Sequence, residues 1–337
     1  MPANSILRGF ESPTWNLARS ACETDDTSLI EQAISSCPQQ DDPEGLKRYI
    51  CRHAIQNNAE NALKCIIEQG LDVHSLAPTV VAGDGRSKAI LEILLAHGWD
   101  INYRQVSTSG PDAEPFMWHI VKDGDLVTWC LEHGASVFPR NQEPLRVGVL
   151  TQSQRSCRQI LDCAAGYATI TTFELLRSKG APLGWRTLHL AVQTAALAAD
   201  RLEKREDEDC ILKKPESKEG QFNGNHSDAA RNYAERMDMV RHLIDTVGLD
   251  VNGLDHPAGR TPGGCMGPPI CYVATLSGLR GSTRELTWLL LDRGADPAPG
   301  LEEAGYTDHE TFAGDVEAWK ARNPIKSRSG ASKCTIQ

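Results

Sequence analysis

Cysteine and histidine residues stand at spacings that raise the question of a metal site. The pairs Cys157/Cys163 and Cys265/Cys271 share the same gap of five intervening residues, and His256 precedes the second pair. Structural zinc sites draw four ligands from two closely spaced pairs, with gaps of about two to four residues. Both gaps here are wider, and one cysteine of each pair falls within an apolar helical period. We therefore interpret these cysteines as core residues and expect no metal.

Serine, histidine and aspartate are plentiful, but the local motifs of common catalytic sites are absent. The sequence contains no G-x-S-x-G nucleophile elbow, G-x-x-x-x-G-K-[ST] phosphate loop, H-E-x-x-H zinc helix or G-x-G-x-x-G dinucleotide fingerprint. Nothing in one sequence brings a serine, a histidine and an aspartate together, so a hydrolytic triad has no support. The sequence predicts a protein that is not an enzyme and that binds no cofactor.

Composition limits the partners and the compartment. The 337 residues are 40% hydrophobic and carry a formal charge of −10, so phosphate backbones and anionic membranes would repel the chain. The eleven cysteines are an odd number scattered through helical periods, which favours reduced thiols. No segment approaches the ~18 apolar residues of a membrane span, and the first residues do not resemble a signal peptide. We expect a monomeric cytoplasmic or nuclear protein without membrane insertion or a nucleic-acid partner.

Six segments repeat one pattern: an apolar run, a glycine and a short extended tail, which we call a finger. The clearest copy is W-L-L-L-D-R-G-A-D-P at 288–297. Within each run the apolar residues recur at helical spacing, which predicts one amphipathic helix per copy. A glycine at the end of each helix suits a left-handed C-cap, where a side chain with Cβ would be strained. The six stop glycines are Gly70, Gly98, Gly134, Gly180, Gly248 and Gly294.

A second, shorter apolar segment precedes several of these helices. Examples are M-W-H-I-V at 117–121, I-L-D-C-A-A at 160–165 and T-L-H-L-A-V at 187–192. The repeating unit is therefore helix, turn, helix, glycine and finger. Such a unit is too small to bury its own apolar face, so neighbouring units must stack.

These residues resemble the ankyrin repeat, whose first helix opens with Gly-x-Thr-Pro-Leu-His and whose second helix ends with Gly-Ala-Asp-Val-Asn. The closest matches are T-L-H-L-A-V at 187–192, G-L-D-V-N at 248–252 and G-A-D-P at 294–297. Successive stop glycines are 28, 36, 46, 68 and 46 residues apart, against a family period of about 33. This irregularity is similar to that of divergent fungal arrays. The resemblance implies an all-α, ankyrin-type helix-turn-helix solenoid with about six irregular repeats and helical caps.

The expected organisation has four parts. They are a flexible N-terminal segment at 1–27, the solenoid at 28–300, a C-terminal capping helix at 301–322 and a flexible basic tail at 323–337. The helix that opens the solenoid is expected to start at Ser28, where S-L-I-E offers a capping box with Glu31. A charged insertion interrupts the solenoid at 200–227. Because 14 of the 21 residues from 200 to 220 are charged, this insertion is expected to form a solvated loop that can extend the preceding helix.

The resemblance also implies a function, that of a non-catalytic scaffold or adaptor that binds another protein on the concave face of the array. Aromatic and arginine residues of the fingers are the candidate contacts, because such side chains dominate binding hot spots. Trp99 has an alternative role, since it stands where the family has alanine and could fill space in the core. The acidity of the chain predicts positive charge on the partner. The candidate contacts are Trp99, Tyr103, Arg104, Phe138 and Arg140.

Two further predictions concern the tryptophans and the insertions. Tryptophans within the helical runs or at their entry are predicted to pack in the core; they are Trp118, Trp129, Trp185 and Trp288. The alternative function is a regulatory or catalytic protein whose site lies in an insertion, at 200–227 or at 255–268. The latter segment is rich in glycine and proline, which favour turns.

Overall fold

The protein is described here from a computed structural model. It covers residues 13–37, 42–83, 87–104, 114–138, 159–212, 223–256, 266–276, 282–307 and 310–324, without the side chains of 204–212, 223–226 and 310. Within these residues the chain forms sixteen α-helices and one π-helical turn, and no strand. The all-α prediction is confirmed. The chain divides into two compact units, residues 1–157 and 158–337.

The described part of the first unit consists of four helix pairs. They are α1 (Pro13–Thr24) with α2 (Thr27–Ser35), α3 (Pro43–Asn57) with α4 (Glu60–Glu68), α5 (Pro78–Val81) with α6 (Lys88–Ala96), and α7 (Phe116–His119) with α8 (Gly124–Glu132). Successive pairs pack on one another, because α1 contacts α3, α4 contacts α6 and α5 contacts α7. This packing buries one face of each longer helix, including Ile50, Leu63 and Ile90.

The described part of the second unit also consists of four pairs. They are α9 (Ile160–Tyr167) with α10 (Ile170–Ser178), α11 (Thr187–Leu212) with α12 (Asn223–Arg241), α13 (Pro269–Ala274) with α14 (Arg284–Asp292), and α15 (Pro297–Thr307) with α16 (Glu310–Arg322). Here α9 contacts α11, α11 contacts α13, and α13 contacts α15. Neighbouring pairs therefore share buried surface in this unit as well.

The charged insertion lengthens two helices. Helix α11 has 26 residues and α12 has 19, whereas α10 and α14 have nine each. The sequence allowed the insertion to extend the preceding helix, and α11 does so, since it continues to Leu212. The expected loop does not reach 227, because α12 begins at Asn223. A charged sequence can remain helical when its side chains face water. Within the described ranges, no helix combines the length and the apolar content that crossing a membrane requires.

All six stop glycines have the predicted left-handed backbone, with φ between 80° and 90°. At Gly294 the backbone N–H donates to Leu291 O at 3.0 Å, and the N–H of Ala295 donates to Leu290 O at 3.0 Å. This pair of hydrogen bonds is the Schellman motif, which satisfies the last carbonyls of a helix. The prediction that each glycine ends a helix in a left-handed C-cap is confirmed.

Gly248 ends its helix in a modified form of this motif. The helix passes into a π-helical turn at His242–Thr246, and the N–H of Leu249 donates to Leu243 O at 3.0 Å, six residues back instead of five. The segment L-I-D-T-V-G has one residue more between its buried leucine and its glycine than L-L-D-R-G has. The π turn takes up this extra residue and keeps the glycine at the helix end.

Asparagine side chains join the fingers of neighbouring pairs. Asn252 Nδ2 donates to Gly294 O at 2.9 Å, and Asn252 Oδ1 accepts the N–H of Asp296 at 2.8 Å. In the first unit Asn102 likewise donates to Gly134 O, at 3.0 Å. Both asparagines stand four residues after their own stop glycine. Each therefore fixes the distance between one finger and the next.

The N-terminal prediction was wrong in two respects. Residues 13–24 form α1, which buries Trp15 and Ala18, so this part of the segment 1–27 is ordered in the fold. Helix α2 begins at Thr27 and its N-cap is Asp26, whose carboxylate accepts the N–H of Ser28 at 2.8 Å. Asp26, two residues earlier, thus supplies the cap that we expected from Ser28.

The C-terminal prediction was right about the packing face and wrong about the number of helices. Phe312, Val316 and Trp319 are buried on one face of α16, as their spacing predicted. The indole N–H of Trp319 also donates to Asp292 Oδ1 at 3.0 Å, which joins α16 to the end of α14. The segment 301–322 is not a single helix, however, because α15 ends at Thr307 and α16 begins at Glu310.

Two glycines of α15 provide a matched test of this packing. A Cβ added at Gly300 would lie 2.8 Å from Phe312 Cζ, whereas Gly305 has no atom within 4 Å of that position. We expect Gly300→Ala to lower the free energy of unfolding by about 1–3 kcal/mol through overpacking. We expect Gly305→Ala to raise it by about 0.5–1 kcal/mol, because alanine favours the helix. Urea unfolding of both variants measures the difference, and equal effects would contradict this packing.

Candidate functional site

Trp99 lies in the core of the first unit. Its side chain is 2% exposed, its indole N–H donates to Leu76 O at 3.3 Å, and its ring meets Phe116 edge-on at 5.6 Å between centroids. A partner cannot reach a side chain buried in this way. Trp99 is therefore removed from the set of candidate contacts, and its role is the alternative one of filling space.

The other candidate contacts of the first unit are more accessible. Tyr103 and Arg104 follow the finger after Gly98, and Phe138 stands in the finger after Gly134; all three are half-buried. Asn102 holds these two fingers together through its bonds to Gly134 and to the N–H of Ser136. Arg140 lies outside the described residues. The two fingers thus bring Tyr103 and Phe138 to the same edge of the unit, where they remain candidate contacts.

The tryptophans predicted to pack in the core divide into two groups. Trp118 and Trp129 are buried, as predicted, and Trp288 is half-buried on α14. Trp185 is 45% exposed, so the prediction for it was wrong. The sequence contained the signal, because Trp185 stands five residues after its stop glycine, as Tyr103 does.

Three large apolar side chains are exposed on two consecutive fingers of the second unit, and we call them the apolar finger patch. Leu183 and Trp185 belong to the finger after Gly180 and are 41% and 45% exposed. Leu254, which ends the finger after Gly248, is 43% exposed. His189 near the start of α11 ties the two fingers together, with Nε2 lying 3.1 Å from Gly253 O.

A buried carboxylate supports the second of these fingers. Asp255 accepts hydrogen bonds from Tyr272 Oη at 2.5 Å, His256 Nδ1 at 2.7 Å and the backbone N–H groups of Met266 at 2.9 Å and Gly267 at 3.3 Å. The first two residues of the insertion at 255–268 are thereby joined to its end and to α13. Asp255 fixes the base of this insertion.

Arg186 connects the first finger to the same polar cluster. Its Nη2 donates to Tyr272 Oη at 2.8 Å, and its guanidinium lies 5.6 Å from the centre of the Tyr272 ring. Tyr272 accepts from Arg186 while it donates to Asp255. On the other side of Trp185, the backbone N–H of Gly184 donates to Thr187 Oγ1 at 3.0 Å. The backbone on both sides of Trp185 is therefore held by hydrogen bonds.

The cluster has one defined protonation state at neutral pH. Burial raises the pKa of Asp255, but hydrogen bonds from Tyr272, His256 and Met266 outweigh it and lower that pKa to about 2. Burial lowers the pKa of His189 to about 4, against the attraction of Asp255. Burial and the bond to Asp255 raise the pKa of Tyr272. At pH 7 the carboxylate is charged, the imidazole of His189 is neutral and the phenol is protonated.

The hydrogen bonds of Asp255 suit a carboxylate that holds the finger in place better than one that takes part in a reaction. Asp255 already accepts four hydrogen bonds, which is about as many as a carboxylate can take. Among the described residues, no serine, threonine or cysteine hydrogen-bonds to His256, the neighbour of Asp255 that would have to act as a base. A nucleophile–base pair requires such a bond or a close approach. Residues 257–265 of the insertion lie outside the described residues.

The structure describes two of the four cysteines that were considered as metal ligands. Cys163 and Cys271 are buried, whereas Cys157 and Cys265 lie outside the described residues. Burial is the main cause that raises the pKa of Cys271 to about 12. In the part of the chain that the structure covers, no three metal-ligating side chains come together.

No family model fits the chain, and no curated protein is similar to it. The residues and the geometry described above are therefore the basis for a functional proposal.

Proposed function

We propose that the chain is a non-catalytic protein-binding scaffold or adaptor of the ankyrin-repeat type. Its fingers, with the first helices beside them, would form the recognition surface. Six left-handed glycines, each followed by a finger, support the assignment to this repeat type. The asparagine bonds from one finger to the next support stacking at a regular spacing. Stacked units of this kind leave finger residues free of the buried interfaces, so they can serve recognition.

The observation that carries the proposal is the apolar finger patch. A tryptophan exposed to 45% with two leucines of similar exposure on consecutive fingers is costly to leave in water. Tryptophan is also the residue type most enriched among binding hot spots. Each of these three residues keeps 41–45% of its surface in water. A partner that covers them would remove their apolar surface from water.

The backbone beside the patch is also held by hydrogen bonds before any partner binds. Arg186 fixes the chain after Trp185, and Asp255 fixes the chain after Leu254. Ordering flexible side chains and loops at an interface usually costs about 0.5–1.5 kcal/mol for each side chain. Because the backbone of both fingers is already held, binding avoids part of this cost. The buried polar cluster thus serves recognition without touching the partner.

A site in the insertion at 255–268 is the second candidate, and the pair Asp255–His256 favours it. His256 is largely buried at the base of the insertion, and its Nδ1 is held by the carboxylate. A regulatory or catalytic group carried by residues 257–265 would depend on this anchor. The scaffold proposal predicts that partner binding survives removal of 257–265, whereas an insertion-borne activity would be lost.

Proximity labelling in the cells of origin tests the scaffold proposal. We expect the double variant Trp185→Ser/Leu254→Ser to lose most partner labelling, because loss of a hot spot of about 2 kcal/mol weakens binding about thirtyfold. Tyr306→Ser is the matched control. This tyrosine is 77% exposed but stands on α15, away from the fingers, so the control should label the same partners as the wild type. Labelling that persists in the double variant would remove the patch as the recognition surface.

A further inference from the structure

Two aspartates are fixed on the fingers of the second unit. Asp250 Oδ1 accepts the N–H of Asn252 at 2.9 Å, and Asp296 Oδ1 accepts the N–H of Ala298 at 3.0 Å. Both residues are exposed. Each of these bonds uses one carboxylate oxygen and orients the side chain at a turn. Both aspartates therefore present a negative charge in a defined place.

These aspartates continue the surface of the apolar finger patch. Asp250 and Leu254 belong to the same finger, where the N–H of Gly253 donates to Asp250 O at 3.0 Å and closes a turn between them. Asn252 joins this finger to Asp296 on the next one. Three consecutive fingers thus carry Trp185 first, then Leu254 with Asp250, and then Asp296. The surface changes from apolar to acidic along the row.

Carboxylates beside this row are neutralised, in contrast to those within it. Asp245, close to the stop glycine of the second finger, pairs with Arg293 at 2.9 Å. Glu285 on α14 pairs with Arg241 at 2.8 Å. Among the described residues, neither Asp250 nor Asp296 forms an ion pair. Within the described part of the chain, nothing neutralises these two charges, which leaves them for a partner.

We infer that the fingers of the second unit bind a peptide segment that combines an apolar or aromatic anchor with neighbouring lysine or arginine residues. The anchor covers the apolar finger patch and the basic residues face Asp250 and Asp296. This inference rests on the proposed function and adds the chemistry of the partner. Charge pairs at the rim of an interface contribute to partner selection and to the association rate. The formal charge of −10 attracts the same kind of segment from a distance.

Selection from a displayed library of random dodecapeptides on the full chain tests the inference. The enriched peptides should contain an aromatic or large aliphatic residue together with at least two lysine or arginine residues. The strongest peptide is then synthesised, and its Kd is measured at low and high salt. We expect Asp250→Asn/Asp296→Asn to weaken its binding about three- to tenfold, in the range of two exposed ion pairs. The difference between the Kd values at low and high salt should also be smaller for this variant than for the wild type. Asparagine can still accept the turn hydrogen bond, so the fingers keep their shape.

Asp72→Asn is the matched control for charge. Asp72 Oδ1 accepts the N–H of His74 at 3.0 Å, which is the same turn on a finger of the first unit. This substitution removes one charge without touching the proposed surface, so the Kd should stay unchanged. If Asp72→Asn weakens binding as much as Asp250→Asn alone does, the attraction is general and the inference fails.

The remaining outcomes distinguish a failure of this inference from a failure of the proposed scaffold function. Peptides that lack basic residues but lose binding in Trp185→Ser would overturn the inference and leave the scaffold proposal standing. Peptides whose binding is unchanged in Trp185→Ser would count against both, as would a selection that enriches no peptide.

Discussion

Replacing Arg236 by methionine is expected to lower the free energy of unfolding of the second unit by about 2–4 kcal/mol. Arg236 is only 5% exposed, and its guanidinium donates to Gly166 O at 2.8 Å and to Ala168 O at 2.7 Å. These carbonyls end α9, where no residue from 166 to 168 has the left-handed backbone of the stop glycines. Arg236 therefore satisfies the end of this helix from α12. Methionine would fill much of the volume but leave both carbonyls without a donor.

Arg231 provides the control on the same helix. Its side chain is 68% exposed and pairs with Asp228 at 2.6 Å, and exposed pairs of this kind stabilise a protein by about 0–1 kcal/mol. Arg231→Met should therefore cost far less than Arg236→Met. Urea unfolding of the full chain, followed by circular dichroism and by hydrogen exchange of the amides in α9 and α12, gives both values. A loss at position 236 no larger than the loss at position 231 would contradict the capping role.

The second helix of each pair that ends at a stop glycine could be predicted because its signals are local. Helix α14 shows this, since the spacing of its leucines predicts the buried face and Gly294 predicts the end. Helix α5 carries no comparable signal. With four residues it is shorter than the window over which helical periodicity can be recognised, and so short a helix depends on packing for its stability. Helix α1 lies between these cases, because Trp15, Ala18 and Cys22 stand at helical spacing in a segment that we interpreted as flexible.

Position relative to the stop glycine separates the two tryptophans of the fingers. Trp99 comes directly after its glycine and is buried, like Ala181 and Ala295 at the equivalent place. Trp185 comes five residues after its glycine and is exposed. Residue type alone could not separate these two tryptophans. The offset could have done so, since the turn after the glycine points the next residue inward in these three fingers.

The polar cluster beneath the fingers could not be predicted, because it joins residues far apart in the chain. Arg186 and Tyr272 are 86 residues apart, and His189 and Gly253 are 64 apart. Two insertions of irregular length separate them, so no fixed period places one opposite the other. The cluster became apparent only when the structure brought the start of α11 beside α13. The sequence indicated Asp255 only as the first residue of an insertion and gave no sign of its role as a buried carboxylate.

Lowering the pH from 7 to 2 is expected to destabilise the second unit in two ranges. The first is due to His189, whose pKa of about 4 in the folded protein lies below its ordinary value of 6.5 because the ring is buried. The unfolded chain therefore takes up this proton first as the pH falls. The contribution of His189 is complete above about pH 6.5 and is lost between pH 6.5 and 4. A shift of this size corresponds to about 3 kcal/mol.

The second range is due to Asp255, whose folded pKa of about 2 lies below its ordinary value of 3.8. Burial alone would have raised this pKa, and the hydrogen bonds from Tyr272, His256 and Met266 lower it. The contribution of the carboxylate is complete above about pH 4 and is lost as the pH falls towards 2. The expected loss is about 2–3 kcal/mol.

Two variants assign these ranges, and the free energy of unfolding measured at a series of pH values compares each of them with the wild type. His189→Gln keeps an amide donor near Gly253 O but has no titrating group. The decrease in the free energy of unfolding between pH 6.5 and 4 should therefore become smaller, while the decrease between pH 4 and 2 should remain. Asp255→Asn should remove the decrease between pH 4 and 2 and retain the one between pH 6.5 and 4. If the free energy of unfolding of His189→Gln still decreases between pH 6.5 and 4 as much as that of the wild type, other groups cause the decrease. Because both residues hold the fingers, acid should also weaken partner binding before the second unit unfolds, and His189→Gln should reduce that weakening.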